Sequence, residues 1–261
     1  MSETATPVAV ERDGAVGILR LNRPARFNCL SLAVIDGLRQ GLETFERDAS
    51  VRCVLIGSSG KHFCTGADLD EVQGLRAEPA ALARFIDTGH AALERLEASP
   101  LPVVAAVQGL CLAGGLELML ACDVVIAAAG ARFGDQHAQF GLIPGWGGTQ
   151  RLPRVIGPRR AMDLFYSARW ISAAEAQAWG LVNQVAEDER LFDTSLEYCR
   201  GIAGRSRGGL ATMKRLARSG LDTTLAEGLA MERSQAVAAL LAADVTEGLA
   251  AFQDRRQPRF S

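Results

Sequence analysis

The 261-residue sequence predicts an α/β fold in which strands, turns and helices recur up to about residue 195 and helices alone complete the chain. Three observations carry this reading. Short apolar runs of strand length alternate with segments of helical periodicity. The run from Leu101 to Ala129 holds only Glu117 and Asp123 as charged side chains and is cut by Gly114-Gly115. It therefore reads as strand, turn, buried helix and strand rather than as a membrane span. From about Leu191 onward only helical spacing remains. Because each strand is followed by a turn before the next helix, the pattern predicts a stacked or coiled α/β arrangement rather than a plain dinucleotide-binding sheet.

Taken in order, Val8–Val10 and Val16–Leu21 flank Asp13-Gly14, a two-residue turn signal, and predict a hairpin. Ser31 caps a helix whose apolar positions Leu32, Ile35, Leu38, Leu42 and Phe45 recur at helical spacing. A strand at Cys53–Ile56 runs into the glycine-rich segment GSSGKHFCTGADL. A long helix follows over Pro79–Glu97, ending before Ser99-Pro100. The next strand is Val103–Val107, between Pro102 and Gly109, and a buried helix opens at Gly114-Gly115 and runs to about Cys122. Val124–Ala128 is another strand, Pro144–Gly148 a sharp loop, and Leu181–Val185 a later strand. Helices are then expected around Leu196–Ala203, from Leu210, over Leu225–Leu241 and over Val245–Phe252. The division is a core of residues 1–195 and a helical region of residues 196–261, too small to stand alone and so expected to dock on its own core or on a neighbouring subunit.

Apolar content of 48% with 22% charged residues fits a globular chain with a sizeable core. A net charge of −2 gives no electrostatic reason to expect nucleic acid or an anionic membrane as partner. The six cysteines form no C-x-x-C pair and mostly sit in apolar surroundings, so they read as buried thiols in a reducing compartment, with no metal site expected. The segment MSETATPVAVERDG has neither the basic nor the apolar region of a secretory signal, and a cytoplasmic location is expected.

Glu117 is the residue that points to chemistry. A carboxylate in an apolar run is costly unless hydrogen-bonded, paired or partly protonated. It either caps its helix start, pairs with a buried arginine, or belongs to a functional site. Two glycine turns after buried strands favour the last: Phe63-Cys64-Thr65-Gly66-Ala67-Asp68-Leu69, and Gly109-Leu110-Cys111-Leu112-Ala113-Gly114-Gly115. Backbone N–H groups from two such turns can converge on one oxygen and stabilise the charge it gains in an enolate or tetrahedral intermediate. Neither turn carries the dinucleotide or P-loop pattern.

The segments LNRPARFNCLS, HFCTGADL, AVQGLCLAGGLELMLACDVVIA, FGDQHAQFGLIPGWGGTQRLPR and EGLAAFQDRRQPRF, in this order across nearly the whole chain, resemble the crotonase family, the enoyl-CoA hydratase/isomerase superfamily. The resemblance implies a spiral of ββα turns with a C-terminal helical trimerisation region, assembled as a homotrimer or a dimer of trimers. It also implies an acyl-CoA thioester as ligand, with no cofactor beyond the coenzyme A of the substrate. It places the oxyanion-hole donors on the N–H groups of Ala67 and Gly114, and the CoA-binding wall at Thr65, Asp68 and Leu69. Arg26 becomes the basic contact to CoA phosphate, one residue past the family's usual lysine position, which is Ala25 here. Glu117 matches one of the two carboxylates that hydratases of the family use as acid and base. The position of the other, four residues after the Phe of FGDQH, is His137 in this chain.

An enoyl thioester is hydrated by one group taking a proton from water attacking C3 and one delivering a proton to C2. Glu117 with His137 can share those tasks, since imidazole titrates near neutrality. The expected activity is thus enoyl-CoA hydratase-like, a lyase of fatty-acid metabolism with Glu117 as base. The alternatives are an acyl-CoA-binding member without hydratase activity, in which His137 merely bonds Asp135 or backbone, or a CoA-thioester hydrolase or isomerase. Trp146 is expected to narrow the acyl pocket or to lie at an interface. His62 and His90 are expected to face solvent or pack.

Overall fold

Strands β1 (Val8–Asp13) and β2 (Val16–Leu21) form the expected hairpin in this computed structural model, which describes residues 6–260. The first residues of the segment read as free of a secretory signal, 1–5, lie outside the described part. Asp13 pairs with Val16, so the turn is Gly14-Ala15, one residue later than expected; Gly14 takes a left-handed φ of 55° there. Helix α1 (Leu32–Arg47) starts where predicted, with Ser31 Oγ accepting the Val34 N–H at 3.3 Å. It crosses to β3 (Cys53–Ser58), parallel to β2. Helices α2 (Leu69–Leu75) and α3 (Pro79–Ala98) precede β4 (Val103–Val107), β5 (Leu110–Leu112), α4 (Gly114–Leu120), β6 (Val124–Ala128) and β7 (Arg132–Gly134). The 101–129 run is therefore four elements rather than one span. Among the described residues no single helix is long and apolar enough to cross a membrane.

A 3-10 turn at His137–Phe140 leads to α5 (Gly148–Ile156), α6 (Pro158–Ser167), β8 (Ile171–Ser172), α7 (Ala173–Ala178) and β9 (Gln184–Ala186). β9 starts later than the apolar run Leu181–Val185 indicated. Leu181 and Val182 are buried because they close α7: with Gly180 at φ 79°, the Leu181 N–H donates to Ala176 O at 2.9 Å, and Gly180 N–H to Gln177 O at 3.0 Å. Four helices finish the chain, α8 (Leu191–Ala203), α9 (Arg207–Leu221), α10 (Leu225–Leu240) and α11 (Ala243–Gln253).

The strands lie in two sheets. The larger runs β1-β2-β3-β4-β6-β9 and is parallel except for the first pair; the smaller runs β5-β7-β8. Successive strands alternate between them: β4 in the first, β5 in the second, then α4, then β6 back in the first and β7 in the second. Isolated parallel bridges Cys64–Cys111 and Leu30–Ala67 carry the second layer back to earlier turns. This is a spiral of ββα turns. Its core fills both faces of the large sheet. Gly17 and Leu19 of β2 lie against Phe45 and Gly41 of α1, while Cys53 of β3 lies against Cys199 of α8. Val16 pairs with Cys53, and alternation puts Gly17 on the other face, so α1 and α8 cover opposite faces. All six cysteines are buried and unpaired, as the composition indicated. The expected helical C-terminal region is present, and α10 and α11 leave Leu225, Leu240, Leu241 and Phe252 between 69% and 84% exposed.

Candidate active site

The spiral brings the two glycine turns together. Leu30 N–H donates to Gly66 O and Asp68 N–H to Leu30 O, which directs the intervening Ala67 N–H to the other side of the strand. On that side lies the start of α4. A Cβ built on Gly114 would stand 3.2 Å from Ala67 N, and one on Gly66 3.4 Å from Gly114 N. Both N–H groups thus border one small gap, and Gly114, first in its helix, has no intrahelical acceptor. Ala113 before it holds φ 49°, ψ −119°, a conformation costly for a residue with a Cβ. Its N–H is fixed on Gly134 O at 3.0 Å and its carbonyl accepts from Glu117 N at 3.0 Å. These two hydrogen bonds hold the strained residue in place and with it the direction of the Gly114 N–H that follows.

One turn further along α4, Glu117 is 1% exposed. It neither caps its own helix through its side chain nor pairs with an arginine. Instead Oε1 accepts two backbone N–H groups from the glycine loop, Trp146 at 2.7 Å and Gly148 at 2.8 Å. A Cβ on Gly148 would stand 3.2 Å from that same oxygen, so glycine is what lets the loop close on the carboxylate. Burial pushes the Glu117 carboxyl above its ordinary value, while the two N–H groups and His137 hold it back.

Oε2 is left to face His137, whose Nε2 is 3.9 Å away. That is too long for a direct hydrogen bond and suits one water held by both groups. His137 is oriented from behind. Its Nδ1 donates to both carboxylate oxygens of Asp135 at 3.0 Å each, and its backbone N–H donates to Oδ1 at 3.2 Å. Burial pulls the imidazole pKa down, but the Asp135 hydrogen bond and the charges of Asp135 and Glu117 outweigh it, and the net direction is upward. Asp135, itself 2% exposed, is the third member of this array.

In front of His137 and Ala113 opens a cavity of about 350 Å³, with Arg26, Thr65, Ala67, Asp68 and Leu69 among its lining. Arg26 and the three residues expected at the CoA wall therefore share one surface with Ala67. Gly114 and Glu117 stand just behind that surface. Arg26 is not free at the mouth: its Nη2 lies 3.0 Å from Asp68 and 2.5 Å from Asp70, and Arg23 takes the other Asp68 oxygen at 3.0 Å. Of the two roles expected for His62, facing solvent or packing, the structure shows the second: it accepts Leu110 N–H on Nδ1 at 3.1 Å and stacks on Phe27, tying β5 to the first turn.

The family model described as enoyl-CoA hydratase/isomerase matches residues 11–261. The chain belongs to the enoyl-CoA hydratase/isomerase family. It is 38% identical over 251 residues to a protein of Rhizobium meliloti (strain 1021) named "Probable enoyl-CoA hydratase", covering 96% of each chain. It is 37% identical over 248 residues to the 1,2-epoxyphenylacetyl-CoA isomerase of Escherichia coli (strain K12), covering 93% of this chain and 94% of that one. The crystal structure of an enoyl-CoA hydratase from Bacillus anthracis superposes with a TM-score of 0.93 at 36% identity, over 97% and 98% of the two chains. The fold is thus that of the crotonase superfamily, as the motifs indicated.

The part of the site beyond the motifs is its support. Arg151 of α5 donates from Nη1 to Trp146 O at 2.7 Å and grips Glu97 of α3 with Nε and Nη2 at 2.8 and 2.6 Å. Glu97 also pairs with Arg218 of α9 at 3.0 Å, and Arg218 and Lys214 both pair with Asp123 at 2.9 and 2.7 Å. This chain of charges locks the loop that holds Glu117. Arg151 and Arg218 stand in basic clusters visible in the sequence, but nothing there pairs them with Glu97.

Proposed function

We propose that this chain hydrates a 2-enoyl-CoA thioester, with Glu117 as base, His137 as its acid partner, and the Ala67 and Gly114 N–H groups as the oxyanion hole. The observation that carries the reading is the 3.9 Å separation of Glu117 Oε2 and His137 Nε2, two proton-transfer groups facing one space while their other polar atoms are already bonded. In this scheme ionised Glu117 takes a proton from water as its oxygen adds to C3. Imidazolium His137 delivers a proton to C2, and the charge that gathers on the thioester oxygen is stabilised by the two N–H groups. Glu117 then passes its proton to His137, which resets both groups. Arg26, Thr65, Asp68 and Leu69 form the wall for the CoA portion, which arrives as part of the substrate; no further cofactor enters.

Screening enoyl- and acyl-CoA thioesters, with loss of the conjugated chromophore and release of free thiol followed together, tests this. Chromophore loss without thiol is the expected result. Thiol release would instead make the protein a thioester hydrolase, and acyl-CoA binding without turnover would leave it a binding protein.

The scheme fixes the pH dependence. Activity needs Glu117 ionised and His137 protonated, so the rate rises as pH climbs through the Glu117 pKa, above the ordinary 4.5, and falls through the His137 pKa, above 6.5. Asp135→Asn removes the main support of the imidazolium. The alkaline limb of the kcat/KM profile is expected to move to lower pH, with the acid limb nearly still; an unmoved alkaline limb would count against the role of His137.

We also propose that residues 196–261 form the assembling region of a homotrimer or dimer of trimers, since α10 and α11 present large apolar side chains to solvent. Light scattering is expected to give three or six times the 27.8 kDa chain mass, and a monomer mass would refute it.

A further inference from the structure

Resting on this hydratase reading, we infer that Trp146 is the specificity-determining residue of the site, closing the acyl end of the pocket so that only short-chain enoyl thioesters fit. The Trp146 backbone serves Glu117, but its indole does something separate. It is 3% exposed and packed at 5.3 Å against Phe85 of α3. It also lies directly on backbone at two glycines. A Cβ on Gly89 would stand 2.1 Å from Nε1, and one on Gly114 would stand 2.8 Å from Cζ3. The indole therefore occupies the space behind the oxyanion donor, one atom layer from where a thioester oxygen would bind.

The consequence follows from covalent geometry. With the carbonyl oxygen between Ala67 and Gly114, and C2 and C3 beside Glu117 and His137, a chain that continues inward meets the indole. The open cavity, which Trp146 does not line, lies toward Phe140 and Leu142, beside the residues proposed to hold the CoA portion. A long acyl chain must displace the indole or double back. Stability alone does not explain this side chain: Nε1 is buried with no hydrogen-bond partner among the described residues, a cost that phenylalanine or leucine at this position would avoid.

The test compares the wild-type chain, Trp146→Phe and Trp146→Ala on crotonyl-CoA and trans-2-decenoyl-CoA, and measures calorimetric Kd for unreactive butyryl-CoA and decanoyl-CoA. The wild-type chain is expected to favour crotonyl-CoA by about 100-fold in kcat/KM, and Trp146→Ala to recover most of that on the longer substrate. Trp146→Phe, which keeps the packing on Phe85, gives an intermediate shift should the alanine variant fold poorly. The Kd ratio follows the same order. Equal wild-type rates on both substrates, or a preference unmoved in the variants, would overturn the inference. Absence of turnover on every thioester sinks the hydratase reading alone, because the Kd ratios still decide the role of Trp146.

Discussion

Glu117→Gln is expected to lower kcat for crotonyl-CoA hydration by about 1,000-fold or more, the range for loss of a general base. Binding of acyl-CoA and the folded state should be retained. The amide oxygen of glutamine can still accept the Trp146 and Gly148 N–H groups that now hold Oε1 at 2.7 and 2.8 Å, so the loop stays closed. The substitution also removes a buried charge whose burial disfavours ionisation, so Tm should hold or rise slightly. Calorimetric titration with butyryl-CoA beside single-turnover kinetics separates the two effects. A variant that hydrates at the wild-type rate would remove Glu117 from the chemistry, whereas one that fails to bind would make it structural.

Gly115→Ala is expected to have the largest effect on stability. A Cβ there would stand 2.2 Å from Cys64 O and 2.8 Å from Cys64 C, so the overlap is with backbone. That backbone cannot yield freely, because Cys64 N–H donates to Leu110 O at 3.1 Å and Cys64 O accepts from Leu112 N at 3.0 Å. Overpacking of this kind costs about 3 kcal/mol or more. For a chain of this size that lowers Tm by roughly 6–12 °C. Gly74→Ala is the matched control: it lies in α2 with nothing within 4 Å of its added methyl and should be neutral or gain about 0.5–1 kcal/mol. A Tm for Gly115→Ala equal to that of the control would contradict the close approach of α4 to the Cys64 turn. Because Ala67 follows Cys64 by three residues, the strain should also disturb the spacing of the Ala67 and Gly114 N–H groups proposed as the oxyanion hole.

These two positions show what the sequence could and could not reveal. β4 was legible because Pro102 and Gly109 bracket a continuous apolar run, and α1 because Ser31 precedes a regular apolar stripe. β5, β7 and β8 were not, since two or three residues cannot display a period of two. α5 was hidden by Pro153 in its interior and by its polar composition, and α6 lies in a similarly polar stretch. In the site, the residue pattern marked the two glycine turns and Glu117, and the family resemblance singled out Ala67 and Gly114 within those turns. The support was invisible: Glu97 and Arg151 are 54 residues apart, and only the tertiary fold brings their side chains together. The family resemblance makes Arg26 a contact to CoA phosphate, and the fold sets it between Asp68 and Asp70. Charge type can be read along a chain; its partner depends on tertiary geometry.

The measurement that bears most directly on the proposed chemistry is the fate of solvent oxygen. The protein is incubated with crotonyl-CoA in heavy-oxygen water, beside Glu117→Gln, and the thioester is analysed by mass spectrometry. The expected product is an intact 3-hydroxyacyl-CoA carrying one heavy oxygen at C3, formed by the wild-type chain and nearly absent with the variant. Heavy oxygen in a released carboxylate with free CoA, or a thioester of unchanged mass from the wild-type chain, would contradict it.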